Sequence, residues 1–454
     1  MKKLHFLKSA VLAIAALGMT QAALAAGPVW VSAWKADPSG STGEIPAGTQ
    51  TLREIISPRV SGNTVRLRLT NRQGMMPVTF SQVYIGTQKD GATLVPGSNV
   101  PLTFNGGSSI SLLPGQDAVS DPIAYNVTKF TRLAISMQSF GAQGIPMQSS
   151  THSVSRETNY FSLVPTFNGG GADKESGAGY QPFTLTGGVT FQASWHYINS
   201  LDIQTLDPQP RVVVAFGDSI TDGLTVNPNT DNTFIEDLTS LGAEQRYPDF
   251  LQRRLDGMGR SKMQAVVNAG IAGNRLTAGP FAPFFGPRGL DRLETDVIQV
   301  PGVTDVIVHM GVNDIAFDND AQNTGNRTIA KTLIAGFQET ITRLQAKNIR
   351  VLLGTIMPGR GAGFGAASPT VNGGAAHGTE ITDSLRIEVN SWIRGPGAAL
   401  SNGVIDFDAC TRDPARPSYL NPQFDSGDHL HPNPAGFLAM ANCVNLALFP
   451  NSSY

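Results

Sequence analysis

The chain has 454 residues, 41% of them apolar and 15% charged, with a formal net charge of -2. That apolar content supports a packed core and excludes a largely disordered chain, and the length accommodates two domains. The near-neutral balance excludes nucleic acid or an anionic membrane surface as an electrostatic partner.

The first element is MKKLHFLKSAVLAIAALGMTQAALAA. Lys2, Lys3 and Lys8 supply a positive start before a short apolar stretch, Val11 to Leu17, and Ala23-Leu24-Ala25 forms a small-x-small cleavage site. Residues 1–25 therefore read as a secretory signal, removed on export to the periplasm or the exterior. The apolar run is shorter than the ~20 residues that span a bilayer, so no stable membrane insertion is expected. In an oxidising compartment Cys410 and Cys443 are expected to bridge, with two buried thiols as the alternative.

From Gly27 to Asp207, short β-type runs alternate with turn residues. Examples are NTVRLRLTN (63–71), VTFSQVYIG (78–86), FTRLAISMQ (130–138) and GVTFQASWHYINSLDIQ (188–204). Val65, Leu67 and Leu69 alternate with Arg66, Arg68 and Thr70, the period of a half-buried strand. Turn clusters at Asn105-Gly106-Gly107 and Asn168 to Gly171 separate the runs. The expected architecture for residues 26–207 is an all-β sandwich or jelly roll. Its Trp30, Trp34 and Trp195 have two readings, core packing and an aromatic surface for carbohydrate.

LDPQP (206–210) is a Pro-rich joint, after which strand, loop and helix repeat. The runs RVVVAF (211–216), QAVVNAG (264–270), DVIVHMG (305–311), IRVLLGTIM (349–357) and GVIDFD (403–408) have few polar interruptions. Parallel strands covered on both faces have this texture. Helix-like stretches at 246–256, 326–347, 380–394 and 434–448 lie between or after them. Residues 208–454 are thus expected to form a doubly wound α/β domain, whose sites lie at the carboxyl ends of the strands. Segments 275–290 and 358–378 carry no secondary-structure signal, and loops so long are functional or disordered. Phe281, Phe284 and Phe285 suit the first to wall a pocket. A Gly-x-Gly pattern in the second is followed by Pro369 and no helix, which discounts phosphate binding.

Each strand end carries a candidate group. After the first, Ser219 is a nucleophile or, with Asp218, a helix cap. After the second, Gly273 in NAGIAGN offers an unshielded N–H or an ordinary turn. After the third, Asn313 in GVND donates to an oxyanion or bonds its own backbone. Before the last helix, His431 in DHLHP suits a general base oriented by Asp428, provided the loop bends. Metal binding by Asp428, His429 and His431 competes with that reading, but no Cys or Glu cluster accompanies them.

The blocks GDSITDG, NAGIAGN, GVND and DHLHP together resemble those of the SGNH (GDSL) hydrolase family, over about 212–440. The resemblance implies a flavodoxin-like α/β/α sandwich and Ser-centred ester hydrolysis without metal or organic cofactor. It implies Ser219 as nucleophile and first oxyanion donor, Gly273 and Asn313 as further donors, and Asp428 and His431 as the rest of a triad. Asp218 and Asp222 are left with capping or supporting roles, and His429 is not the base. The first half is similar to the β-domain that precedes the catalytic domain in secreted members associated with xylan degradation. The expected function is a secreted serine esterase acting on acetyl or other short-chain esters, polysaccharide O-acetyl groups among them. The alternatives are a lipase or arylesterase and a non-catalytic carbohydrate-binding protein.

Overall fold

A computed structural model describes residues 27–449, apart from 42–44, 140–143, 166–174, 184–192, 227–235, 260–262, 319–320, 322–323 and 363–375. The signal-type segment 1–25, the turn at 168–171, the start of the run at 188–204 and most of the Gly-rich stretch in 358–378 lie outside the described residues.

Strands up to Thr205 pair antiparallel. One sheet orders Val29–Lys35, Ile198–Thr205, Gly62–Thr70 and Asp117–Val119, and a second sets Thr51–Ile56, Leu133–Ser139 and Val78–Asp90 side by side. Val65, Leu67 and Leu69 of the first sheet share one buried cluster with Phe80, Val83, Ile135 and Met137 of the second, which makes a sandwich. The strand expected at 130–138 begins at Leu133, because Phe130 takes a left-handed turn at φ 62°. Trp34 and Trp195 are core residues, their rings meeting edge to face at 5.0 Å, and Trp195 Nε1 donates to the Ile55 carbonyl at 2.7 Å. Trp30 lies half-buried under the Arg66 guanidinium. The three tryptophans therefore form no shared exposed face for a sugar.

From Arg211 the strands run parallel: Arg211–Gly217, Gln264–Gly270, Val303–His309, Arg350–Gly354 and Val404–Ile405. In the sheet they stand in the order second, first, third, fourth, fifth, the flavodoxin-like doubly wound arrangement. Val212, Val214 and Phe216 enter the core shared with the sandwich, while Val213 and Ala215 enter another with Tyr247, Leu251 and Phe437. Burial on both faces explains why this run has no polar interruptions.

Several elements are shorter than their sequence pattern, the fourth strand among them, which covers Arg350–Gly354 of the run 349–357. The fifth strand stops at Ile405 because Asp406 leaves it to cap the helix Phe407–Thr411, its side chain accepting from the Ala409 N–H. The final helix is Pro434–Cys443, since Val444 turns extended, and a short 3-10 turn follows at Leu446–Leu448. Cys443 at that helix end is bridged to Cys410. The bridge spans a sequence separation of 33 that includes Asp428 and His431. On the chain-entropy model such a loop is worth about 3–4 kcal/mol.

The two halves are packed together. Val29–Lys35 lies against Gln264–Gly270, and the Ser32 N–H donates to the Pro301 carbonyl at 2.9 Å. Among the described residues no helix is long and apolar enough to cross a membrane.

Candidate active site

Asp218 turns the chain out of the first parallel strand into a one-turn helix, Ser219–Asp222. Its side chain accepts from the Ile220 N–H at 3.1 Å, the cap that allows so abrupt a turn. Ser219 is thereby held at the carboxyl edge of the sheet. Its Oγ lies 2.8 Å from His431 Nε2, and His431 Nδ1 lies 2.5 Å from Asp428 Oδ2. Asp428 Oδ1 accepts the backbone N–H groups of Leu430 and His431 at 3.0 and 2.8 Å. The required bend comes from Gly427, at φ 121°, and from the Ser426 N–H bonded to the His431 carbonyl at 3.0 Å. The helix that follows is capped by Asn433 and has Pro434 in its first turn, so Pro432 stands before it.

Burial raises the Asp428 pKa most, but His431 and the two N–H donors outweigh it and hold the carboxyl below its ordinary value. A carboxylate only accepts, so a neutral His431 carries its proton on Nδ1 and offers Nε2 to the serine hydroxyl. His429 is turned outward at φ 65° and pairs with Asp425 at 2.6 Å. Among the described residues no three His, Cys, Asp or Glu side chains cluster as metal ligands would.

Gly273 sits at φ 71°, and a Cβ there would come within 2.3 Å of the Phe285 ring, so only glycine fits. Its neighbours are pinned: Ile271 N–H to the Gly217 carbonyl, Ala272 N–H to Asp222 Oδ2 and Asn274 N–H to the Ile271 carbonyl, each at 3.1 Å. Asn313 belongs to the short helix Val312–Ala316, entered through Gly311 at φ 117°. Asn313 Nδ2 donates to the Asn274 carbonyl at 3.1 Å, and its Oδ1 lies 2.9 Å from His377 Nε2. The second Asn313 amide hydrogen and the N–H groups of Ser219 and Gly273 meet no protein acceptor among the described residues. Donors left unengaged beside a serine can stabilise an oxyanion.

Several supporting side chains carry no motif. Asp222, expected in a supporting role, also accepts from His152 Nε2 at 3.0 Å, while His152 Nδ1 lies 2.6 Å from the Asp37 carbonyl. The Asp37 carbonyl only accepts, so His152 Nδ1 donates to it, while Nε2 faces the Asp222 carboxyl. Burial pulls its pKa down, but the Asp222 charge and the hydrogen bonds prevail and raise it. His152 belongs to the antiparallel half, which thus braces the turn carrying Ser219. The same half accepts the Gly286 N–H on the Ser39 carbonyl at 2.7 Å, next to the phenylalanine that covers Gly273. Arg292, buried against the Phe216 ring, donates to the Gly217 and Ala269 carbonyls at 2.9 and 2.8 Å and to Asn274 Oδ1 at 2.9 Å. Asp314 accepts the N–H groups of Leu276 and Thr277 at 2.8 Å each.

Burial pushes the Asp218 carboxyl up to about 7, against the lowering by the Ile220 N–H and His431. The ordinary value is 3.8, so between the two the folded chain holds a proton that the unfolded chain has released. Stability from this group is complete below about pH 4 and is lost as the pH rises through about 7. Asp218→Asn keeps the capping acceptor and removes the titration. In thermal melts the variant is expected to match the wild type near pH 4 and to melt higher near pH 8. Equal melting temperatures near pH 8 would contradict this.

Residues 215–439 match the model of the GDSL-like Lipase/Acylhydrolase family. The chain carries a GDSL-like lipase/acylhydrolase domain and is a hydrolase. All four sheet-end loops fall within this GDSL-like domain, and the antiparallel strands lie outside it. Similar solved structures include a carbohydrate acetylesterase from Sinorhizobium meliloti, 16% identical over 51% of this chain and 94% of that one, with a TM-score of 0.37. A GDSL-like lipase from Bacteroides thetaiotaomicron is 18% identical over 53% and 88%, with a TM-score of 0.33. A family two carbohydrate esterase from Clostridium thermocellum, solved with cellohexaose, aligns over 90% of this chain and 91% of that one at 12% identity and a TM-score of 0.34. No curated protein sequence matches the chain.

Proposed function

We propose that this protein is an exported serine esterase that hydrolyses short-chain carboxylic esters through an acyl-enzyme. The observation that supports this most is the Ser219–His431–Asp428 chain of hydrogen bonds, at 2.8 and 2.5 Å, beside three N–H groups, those of Ser219 and Gly273 and the second of the Asn313 amide, that meet no acceptor among the described residues. Ser219 Oγ attacks the ester carbonyl carbon while His431 Nε2 takes its proton. The charge that develops on the carbonyl oxygen is met by the N–H groups of Ser219 and Gly273 and by Asn313 Nδ2. Asp428 stabilises the imidazolium. His431 then protonates the leaving alkoxide, and the alcohol departs. Water enters, gives a proton to His431 and attacks the acyl-enzyme, and the intermediate collapses as His431 returns that proton to Ser219 Oγ, which releases the acid and restores both side chains. No step requires a metal or an organic cofactor.

The acyl group is assigned as short because aromatic rings crowd the donors. Phe285 covers Gly273, and Phe317 lies 6.0 Å from the Phe285 ring and 5.7 Å from the His377 ring beside Asn313. Phe281 stacks on Phe317 at 4.4 Å and extends this wall to the surface. Acetyl esters fit this description, polysaccharide O-acetyl groups among them. Export rests on residues 1–25, and the division into a β-domain at 26–207 and a catalytic domain at 208–454 belongs to the same proposal.

An ester panel tests the substrate class. The kcat/KM is expected to fall about 10-fold or more from p-nitrophenyl acetate to the octanoate, with acetate released from acetylated xylan. Faster turnover of the octanoate would overturn the short-acyl assignment. Retention on polysaccharide with no ester cleaved would favour a binding protein.

A further inference from the structure

We infer that His377 is a positioning residue of the oxyanion site, orienting the Asn313 amide so that its unengaged hydrogen faces the reacting carbonyl. The inference rests on the esterase reading above.

An asparagine amide can sit in two orientations related by a flip, and only one presents the needed donor. The Asn274 carbonyl only accepts, so the atom 3.1 Å from it is Nδ2. The opposite atom, Oδ1, only accepts, so His377 Nε2 at 2.9 Å carries a hydrogen and donates it. Flipping the amide would oppose two carbonyl oxygens on one side and two N–H donors on the other. His377 thus doubles the penalty on the wrong orientation. Without it, among the described residues only the Asn274 carbonyl holds the group.

The imidazole is itself firmly placed. His377 is 3% exposed, and the turn that bears it is docked on the helix of Asn313. The Ala376 N–H donates to the carbonyl of Ala316, the last residue of that helix, at 3.0 Å, and the Ala376 carbonyl accepts from Thr382 Oγ1 at 2.5 Å. The Gly361 N–H closes the turn on the Gly378 carbonyl at 3.2 Å. The Phe317 ring, next along from Ala316, meets the imidazole edge to face at 5.7 Å. Contact and support therefore belong to one packed unit. Burial and the nearby His431 charge hold the His377 pKa down, to about 3, against a smaller opposing effect of Asp428. A ring that stays neutral acts as a fixed donor rather than as a second acid or base.

Four proteins are compared by steady-state kinetics: His377→Ala, His377→Gln, Asn313→Ala and the double alanine variant. His377→Ala is expected to lose about 10–100-fold in kcat with KM changed by less than about 2-fold. Glutamine can donate an N–H to the same Oδ1 and is expected to recover most of the loss. In the Asn313→Ala background, removing His377 is expected to cost little more. Failure of glutamine to restore kcat, or losses that multiply in the double variant, would overturn the assignment. Long-range 1H–15N spectra of the histidines read the same contact without catalysis. Wild type and Ser219→Ala are both expected to show His377 as the Nε2–H tautomer, unchanged from about pH 5 to 8. An Nδ1–H tautomer, or titration in that range, would overturn it. The spectra hold even for a protein that cleaves no ester, which separates failure of this inference from failure of the esterase reading.

Discussion

Ser219→Ala is expected to lower kcat/KM for p-nitrophenyl acetate by about 10⁴-fold or more, with little change in melting temperature. Among the described residues the hydroxyl bonds to His431 alone. The cap from Asp218 to the Ile220 N–H, which shapes the turn, does not involve it. Alanine suits the helical position, and a buried oxygen is a small volume to lose. The N–H donors of residue 219, Gly273 and Asn313 remain in the variant, so a residual rate above that in water is expected. Turnover close to wild type in a folded variant would remove Ser219 from the chemistry. Circular dichroism and a thermal melt establish that the variant is folded.

Asp428→Asn is expected to lower kcat by about 10³–10⁴-fold at nearly constant KM. The direction follows from the two oxygens of Asp428. Oδ1 already accepts the Leu430 and His431 backbone N–H groups, so the amide oxygen of asparagine must stay on that side. The amide nitrogen then faces His431 Nδ1 as a donor. His431 is driven to the opposite tautomer, with its proton on Nε2, and cannot receive the proton of Ser219. Stability changes in step. The folded pKa of Asp428 lies below its ordinary 3.8, so its contribution is present above that value and is lost as the pH falls through the folded one. The variant is expected to lack this contribution at neutral pH, where a melt compares the two. A variant with wild-type kcat would show that Asp428 does not set the tautomer.

Much of the framework is legible in short runs of residues. The uninterrupted Val212 to Phe216 run announces a strand buried on both faces, and the two cores that receive its alternate side chains bear this out. Placement of Ser219, Gly273, Asn313 and the Asp428–His431 pair at sheet ends follows from strand-and-helix alternation, because the loops that leave parallel strands all emerge on one side. The supporting groups are not legible in the same way. His152 meets Asp222 across 70 positions, and His377 meets Asn313 across 64. A single histidine in a turn has no periodicity, and its partner is set only by how distant segments pack. Arg292 is similar, since its local pattern is that of any helical arginine, yet it joins the ends of two strands. The tryptophans show the same limit. Trp34 and Trp195 favour the core on sequence, and the sandwich buries both, but which rings they meet is not written locally. Element ends depart from the sequence pattern where one side chain redirects the chain, as Asp406 does in leaving the fifth strand for a cap.

The division of the chain has a consequence for the site. His152 and the Ser39 carbonyl reach from the antiparallel half to the turns that carry Ser219 and Phe285. The sandwich therefore braces the turns that carry Ser219 and Phe285, and the two halves share one core.

The central claim is that Ser219 attacks the carbonyl under the control of His431. It is tested most directly by labelling the intact protein with a serine-directed organophosphate and mapping the adduct by peptide mass spectrometry. The account predicts one equivalent bound at Ser219, loss of ester hydrolysis in parallel with labelling, and no adduct in Ser219→Ala. Full activity after Ser219 is labelled, or inactivation that maps to another residue, would contradict it.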